Sequence, residues 1–155
     1  MTPIFGPITL EEMSANTTLT KIVMPLIANA CEHSGGRFTL DTVVEGLIAK
    51  RLSLWGVLAE PANFQAVAVS RVGVWESGLK IFEVLMLGGP KFKAVMPFLE
   101  ELKKRAAAAG CVKALLYGHI AWAGGRLEKR SRILPEGWRA SAMIYECDLN
   151  AARQA

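Results

Sequence analysis

The run Lys80–Leu87, KIFEVLML, is apolar at nearly every position except Glu83. A strand with one face in water alternates apolar and polar residues, whereas an unbroken apolar run suits a central strand covered on both faces. Gly88-Gly89-Pro90 interrupts the run. A helical period follows over about Val95–Ala109, with Val95, Phe98, Leu99 and Leu102 as its stripe. Proline is tolerated only in the first turn of a helix, so Pro97 sets the start near Val95. Glu100–Lys104 and Glu101–Arg105 are i, i+4 pairs in the favourable order, and Gly110 suits the left-handed position after the helix. Val112–Tyr117 is a second apolar strand. Reached through a helix, it lies parallel to Lys80–Leu87 by a right-handed crossover.

The segments before this unit alternate between the two periods. Met1–Asn16 carries Pro3, Gly6 and Pro7 and reads as an extended arm with a short strand at Ile8–Leu10. Leu19, Ile22, Val23, Leu26, Ile27 and Ala30 follow the i, i+3, i+4, i+7 rule, which makes Thr18–His33 a helix. Pro25 is expected to kink it or shift its start, and Gly35-Gly36 ends it. Thr39 N-caps a second helix, Leu40–Arg51, with Val43, Val44, Leu47 and Ile48 as its buried stripe. Ser53–Leu58 and Phe64–Trp75 are strands, joined by a turn at Glu60–Asn63, and Gly73 marks a bulge. Together with Lys80–Leu87 they form an antiparallel meander. Beyond Tyr117, His119–Arg132 is an irregular or short helical piece, Trp138–Leu149 a last strand and Asn150–Ala155 a frayed tail. The fold class is α/β (α+β by another convention): one domain with a mixed, mostly antiparallel sheet flanked by helices.

Composition excludes several function classes. Hydrophobic residues are 52% and charged residues 21% of the 155, so the chain is not disordered over most of its length. No stretch reaches the ~20 apolar residues of a spanning helix, so a membrane role is not expected. Lys21–Cys31 imitates a secretory signal, but it is short, contains Pro25 and follows Glu11 and Glu12 instead of a basic segment. Three cysteines argue against a disulfide framework. Cys31, Cys111 and Cys147 have no metal-ligand spacing, and His33 and His119 are the two histidines, so no metal site is expected. The net charge of +4 permits an acidic partner without requiring one. The cluster Arg126–Arg132 lacks interleaved aromatics, which favours a solvated basic loop over a nucleic-acid site. Four tryptophans exceed what a small core needs and favour a protein interface.

The element order is helix, helix, three antiparallel strands, helix, strand, weak helix, strand. With LMLGGPKFKAVMPFLEELKKRAAAAGCVKALLYG at its centre, it resembles the GNAT N-acetyltransferase fold. That segment stands where the family has its fourth strand, pyrophosphate loop, third helix and fifth strand. Gly110-Cys111, Gly118-His119-Ile120-Ala121-Trp122 and Gly137-Trp138 resemble more specifically the short GNAT-like proteins of tailed bacteriophages. The resemblance spans roughly Ser53 to Leu149. It implies acetyl-CoA as cofactor, held by a loop of the form Arg/Gln-x-x-Gly-x-Gly/Ala whose backbone N–H groups close on the pyrophosphate. Here the corresponding positions, Pro90–Val95, hold no glycine. Gly88 and Gly89 lie earlier, and Lys91 and Lys93 offer side-chain charge in place of amides.

Two functions follow from the resemblance. One is a phage-type GNAT-like protein with a degenerate loop, acting on a protein partner in virion structure or assembly or on a host target. It would reside in the host cytoplasm or the virion, and homo-oligomerisation is open to it. The other is an acetyl-CoA-dependent N-acetyltransferase of a small amine or protein amine. In that case Glu83 is the base and Tyr117 the acid; Gly88, Gly89, Lys91 and Lys93 bind phosphate, and a backbone N–H near Met86 polarises the carbonyl. Each residue has a plainer alternative. Glu83 can lie on a half-exposed face or pair with Arg71 across the meander. Tyr117 can be a buried tyrosine with a satisfied hydroxyl, and Gly88–Lys93 a strand-to-helix turn with two solvated lysines.

Overall fold

The apolar run takes the interior place its composition demands. In a computed structural model, which describes residues 4–34, 36–60 and 63–117, Lys80–Gly88 is strand β4 of a five-stranded sheet. The others are β1 (Ile4–Ile8), β2 (Ser53–Glu60), β3 (Asn63–Val74) and β5 (Lys113–Leu116), in the order β1-β2-β3-β4-β5. The first four are antiparallel neighbours, and β5 runs parallel to β4. Residues Ile81–Met86 are all buried, as a strand covered on both faces requires.

The helices divide between the faces. On one lie α1 (Leu10–Ala15), α2 (Thr17–Glu32) and α3 (Leu40–Ile48). Their Met13, Val23, Ile27, Ala30, Val43 and Leu47 share a core with Val67, Val69, Leu85 and Met86 of the sheet. The other face carries Trp55, whose ring stacks on Phe5 at 5.7 Å. Phe5 stacks in turn on Phe98 at 5.0 Å, in a 3-10 helix (Phe92–Phe98) that leads into α4 (Leu99–Ala108). The Arg105 guanidinium of α4 sits over the Trp55 ring at 5.1 Å. Trp55 Nε1–H donates to the fully buried Ser70 hydroxyl at 2.8 Å, so its polar edge is satisfied.

Several expectations need correction. The N-terminal arm is not merely extended. Its strand is Ile4–Ile8, not Ile8–Leu10, and a helix follows it. Thr9 and Glu12 form a capping box at that helix start, a T-x-x-E signal present in the sequence. Pro7 fits because β1 is paired on one side by β2 and needs no donor on the other. Pro25 does not shift the start of α2, which begins at Thr17 and stays helical through it. The second helix stops at Ile48 instead of Arg51, because Lys50 turns left-handed (φ 55) and Leu52 folds back over Gly46. Ile48 consequently leaves the buried stripe and is 65% exposed. Gly73 pairs regularly with Ile81; the irregularity in β4 is at Leu85, an extra residue between Val84 and Met86. Pro97 does not open the α-helix but lies in the 3-10 helix before it. Glu101 pairs with Arg105 at 3.1 Å as expected, but Glu100 takes Lys103, three residues on, at 2.9 Å. Gly110 does adopt the left-handed conformation, φ 80.

Cys31 is buried in the core and Cys111 partly so, both free. The signal-like run Lys21–Cys31 lies within α2, with Val23, Ile27, Ala30 and Cys31 buried. Among the described residues no helix is long and apolar enough to cross a membrane. The pieces expected over His119–Arg132, Trp138–Leu149 and Asn150–Ala155 lie outside the described residues.

Replacing Ser70 by alanine strands the buried Trp55 N–H. The expected loss is about 1–3 kcal/mol, measured by urea denaturation, with the slope of the transition unchanged.

Candidate functional site

Glu83 joins three strands. In register it lies between Arg71 on β3 and Leu115 on β5. It is 4% exposed. The Nε–H of Arg71 donates to Glu83 Oε2 at 2.5 Å, and the Tyr117 hydroxyl donates to Oε1 at 2.6 Å. Gly73 leaves room for the carboxylate, since a Cβ there would stand 3.2 Å from Oε2. The Arg37 guanidinium lies 4.6 Å from the centre of the Tyr117 ring, which ties the α2–α3 connection to the end of β5.

Burial pushes the Glu83 pKa up. The hydrogen bonds from Arg71 and Tyr117, and the charges of Arg71 and Arg37, pull it down further, so it ends below the usual carboxylate value. Tyr117 moves the other way: burial and then the hydrogen bond to Glu83 hold its hydroxyl protonated above the ordinary tyrosine value. A general base needs a free lone pair facing its substrate and a pKa near the operating pH. Each Glu83 oxygen accepts one hydrogen bond, and the pKa is shifted away from neutrality. In this arrangement Glu83 braces β3 and β4 through Arg71 and accepts the Tyr117 hydroxyl on its other oxygen.

The backbone around the brace is open on one side. Pairing of β4 with β5 ends at Val84–Leu116, followed by a bond from Tyr117 N–H to the Val84 carbonyl at 3.1 Å. Beyond it, among the described residues, β4 pairs with β3 alone. The bulge at Leu85 falls at this parting, next to Met86, whose side chain is in the core. Crevices outside the carboxyl ends of parallel strands are the usual ligand sites of open α/β sheets.

The candidate phosphate residues follow directly. Gly88 is pressed against α2: a Cβ there would fall on the Leu26 carbonyl and stand 2.7 Å from the Ala30 Cβ. Gly89 has φ 110, and a Cβ on it would lie 2.8 Å from the Gln65 carbonyl. Its N–H donates to Asn29 Oδ1 of α2 at 2.8 Å. The Gln65 carbonyl, at a register shift of β3 against β2, accepts the Lys91 N–H at 3.2 Å. The Lys91 side chain is exposed. Lys93 lies in the 3-10 helix, where the Ala94 N–H is already bonded to the Lys91 carbonyl at 2.7 Å.

Thus the structure brings Glu83 and Tyr117 into contact and sets Met86 and Gly88–Lys91 along the same strand end. Asn29, Arg37 and Gln65 were not legible as site residues, because each acts through a contact between segments distant in sequence.

No protein-family model matches the chain, and no curated protein matches it by sequence. Solved structures do match. Glucosamine-6-phosphate N-acetyltransferase from Arabidopsis thaliana superposes with a TM-score of 0.60 at 11% identity, covering 96% of this chain and 99% of that one. A Trypanosoma brucei acetyltransferase gives 0.59 at 12%, covering 95% and 99%. A predicted acetyltransferase from Clostridium acetobutylicum, solved with acetyl-CoA, gives 0.54 at 13%, covering 96% and 97%. The fold is that of the GNAT acetyltransferases.

The GNAT fold implies acetyl-CoA, and the described residues can be tested against it. A pyrophosphate cradle needs unengaged N–H groups converging at a helix start. Here Gly89 N–H is held by Asn29, Lys91 N–H by Gln65 and Ala94 N–H by Lys91. Gly88 serves close packing with α2. Pro90 and Pro97 bring no donor. The Gly89, Lys91 and Ala94 amides are therefore engaged within the protein. Among the described residues no group of three or more metal-ligating side chains comes together. His119, the Gly118–Trp122 element, Gly137-Trp138 and the Arg126–Arg132 cluster lie outside the described residues.

Two outcomes are expected. A Gly88→Ala variant should lose about 1–3 kcal/mol, the cost of overpacking, read as a fall in Tm of roughly 2–4 °C per kcal/mol. The brace should also shape the pH dependence of stability. A folded pKa below the unfolded value means Glu83 contributes above about pH 4.5 and loses that contribution as pH falls through its folded pKa. A raised Tyr117 pKa means its contribution holds below about pH 10 and is lost as pH rises through the folded value. Glu83→Gln should flatten the acid limb and Tyr117→Phe the alkaline limb, as read by denaturation across pH.

Proposed function

We propose that this chain is a GNAT-fold binding protein, in which the scaffold is kept and the acetyl-CoA loop has become a packing element. The observation that carries this reading is the closure of Gly88 and Gly89 on α2 and β3, which leaves their backbone no cradle to offer. The doubly engaged Glu83 supports it, since the carboxylate on the central strand is occupied by Arg71 and Tyr117. Its partner is a protein. The Gly110-Cys111, Gly118–Trp122 and Gly137-Trp138 elements favour a phage-type role, in virion structure or assembly or on a host protein. Trp75, exposed at the β3–β4 turn, suits such an interface.

Acetyl transfer to a small amine or protein amine is the second reading. It is favoured by the parting of β4 from β5 beyond Val84 and the bulge at Leu85, which set backbone groups beside Glu83 and Tyr117.

Thermal unfolding with and without acetyl-CoA separates the two. A ligand at a hundred times its Kd stabilises by about 2.7 kcal/mol. The binding-protein reading expects no change in Tm at millimolar acetyl-CoA or CoA. A clear rise, abolished by Lys91→Ala with Lys93→Ala, would establish the second.

A further inference from the structure

Strand β2 stops short of the end of β3. Its first residue, Ser53, pairs with Ser70, while β3 runs on to Val74 and, among the described residues, pairs there with β4 alone. The Trp75 N–H bonds to the Leu79 carbonyl at 2.9 Å, on the β4 side. Peptide groups alternate in direction along a strand. Arg71 and Gly73 therefore also aim theirs at β4, and Val72 and Val74 aim theirs the other way. On that side an open groove of about 530 Å³ lies between Val72–Val74 and the residues Lys50, Arg51 and Ser53. Two N–H donors and two carbonyl acceptors thus border it in the order that a neighbouring strand would match. The outer edge of β1 differs, because it carries Pro7, a residue that blunts an edge. No proline stands in Arg71–Val74.

Charge sets the character of what can lie there. Lys50 and Arg51 are exposed. Arg71 is matched by Glu83, the one carboxylate lining the groove, so the groove is net positive. The side chains of Val72 and Val74 project from the opposite face of β3 to Arg71 and are 46% and 67% exposed. A strand laid alongside β3 alternates in the same way, with one set of side chains on the Arg71 face and the other beside the two valines.

We propose that the open edge of β3 takes up an extended strand of a partner protein, antiparallel to β3. Its main chain bonds to Val72 and Val74, its acidic side chains lie on the Arg71 face, and its apolar ones lie on the face of the two valines. The backbone edge selects the class of occupant. A nucleic acid could use the cations but has no row of amides and carbonyls to pair with β3, whereas strand addition uses both. A second copy of this edge would set Lys50, Arg51 and Arg71 against the same cations, which repel. The inference rests on reading the chain as a binding protein.

Amide exchange and fluorescence polarisation test it together. In the free protein the Val72 and Val74 amides should exchange faster than those of Arg71 and Gly73. A labelled peptide alternating valine and glutamate should bind and should protect Val72 and Val74. The same peptide N-methylated at its valines should not bind, and a valine–lysine peptide should bind at least about tenfold more weakly. Val74→Pro removes one outward donor and none from the ladder with β4, so it should weaken binding by up to about tenfold. The exchange measurement needs no variant and decides the matter if Val74→Pro fails to fold. Slow exchange at Val72 and Val74 in the free protein, undetectable binding, or binding that survives N-methylation would each overturn the proposal. So would tighter binding of a labelled single-stranded RNA, or self-association that protects the two valines. Stabilisation by acetyl-CoA would instead overturn the binding-protein reading, so the two failures are told apart.

Discussion

At Gly88 the backbone of β4 lies directly against α2, close enough that a single methyl group would strike the Leu26 carbonyl. That approach sets where α2 crosses the sheet. It brings Val23, Ile27 and Ala30 onto Leu85 and Met86 and places Asn29 over the Gly89 N–H. The extended bond network then passes to β3, through Gln65 to Lys91. The path from β4 to α4 is therefore fixed at three successive points before the 3-10 helix begins. The same contact that builds the core engages the Gly89 N–H.

Glu83 plays the corresponding part in the middle of the buried strand. A carboxylate this deep is tolerable only when paired and hydrogen-bonded. Arg71 and Tyr117 meet both conditions from the two neighbouring strands. Replacing the carboxylate would leave the Tyr117 hydroxyl and the Arg71 guanidinium facing a site that had matched them. The brace also holds Arg71, whose side chain is 44% exposed, so one residue links the central strand to solvent.

Much of the fold was legible because it follows from period and punctuation. The unbroken apolar run over Lys80–Leu87, the stripe of α4 and the parallel return to Lys113–Leu116 all follow from burial, and the order of these elements carries the resemblance to the GNAT fold. What escaped were features set by contacts between distant segments. Proline and glycine in the first residues masked β1, whose existence depends on β2 supplying its partners. Leu52 packing on Gly46 ended α3 early and sent Ile48 into solvent. At the site, pairing of Glu83 with Arg71 was legible as one of two alternatives, because the meander sets them side by side. The occupation of Gly88 and Gly89 was not: the missing loop glycines are visible in sequence, but Asn29 lies 60 residues away and only folding brings it there.

In the binding-protein reading, the amides of Gly89, Lys91 and Ala94 are committed to packing. Backbone amide resonances of this segment, followed by hydrogen exchange and then by titration with acetyl-CoA, address it directly. Slow exchange at Gly89 and Lys91 and unmoved resonances from Gly88 to Ala94 at millimolar acetyl-CoA are expected. Fast exchange at Gly89, together with saturable shifts across Gly88–Ala94, would show an available phosphate cradle and contradict it.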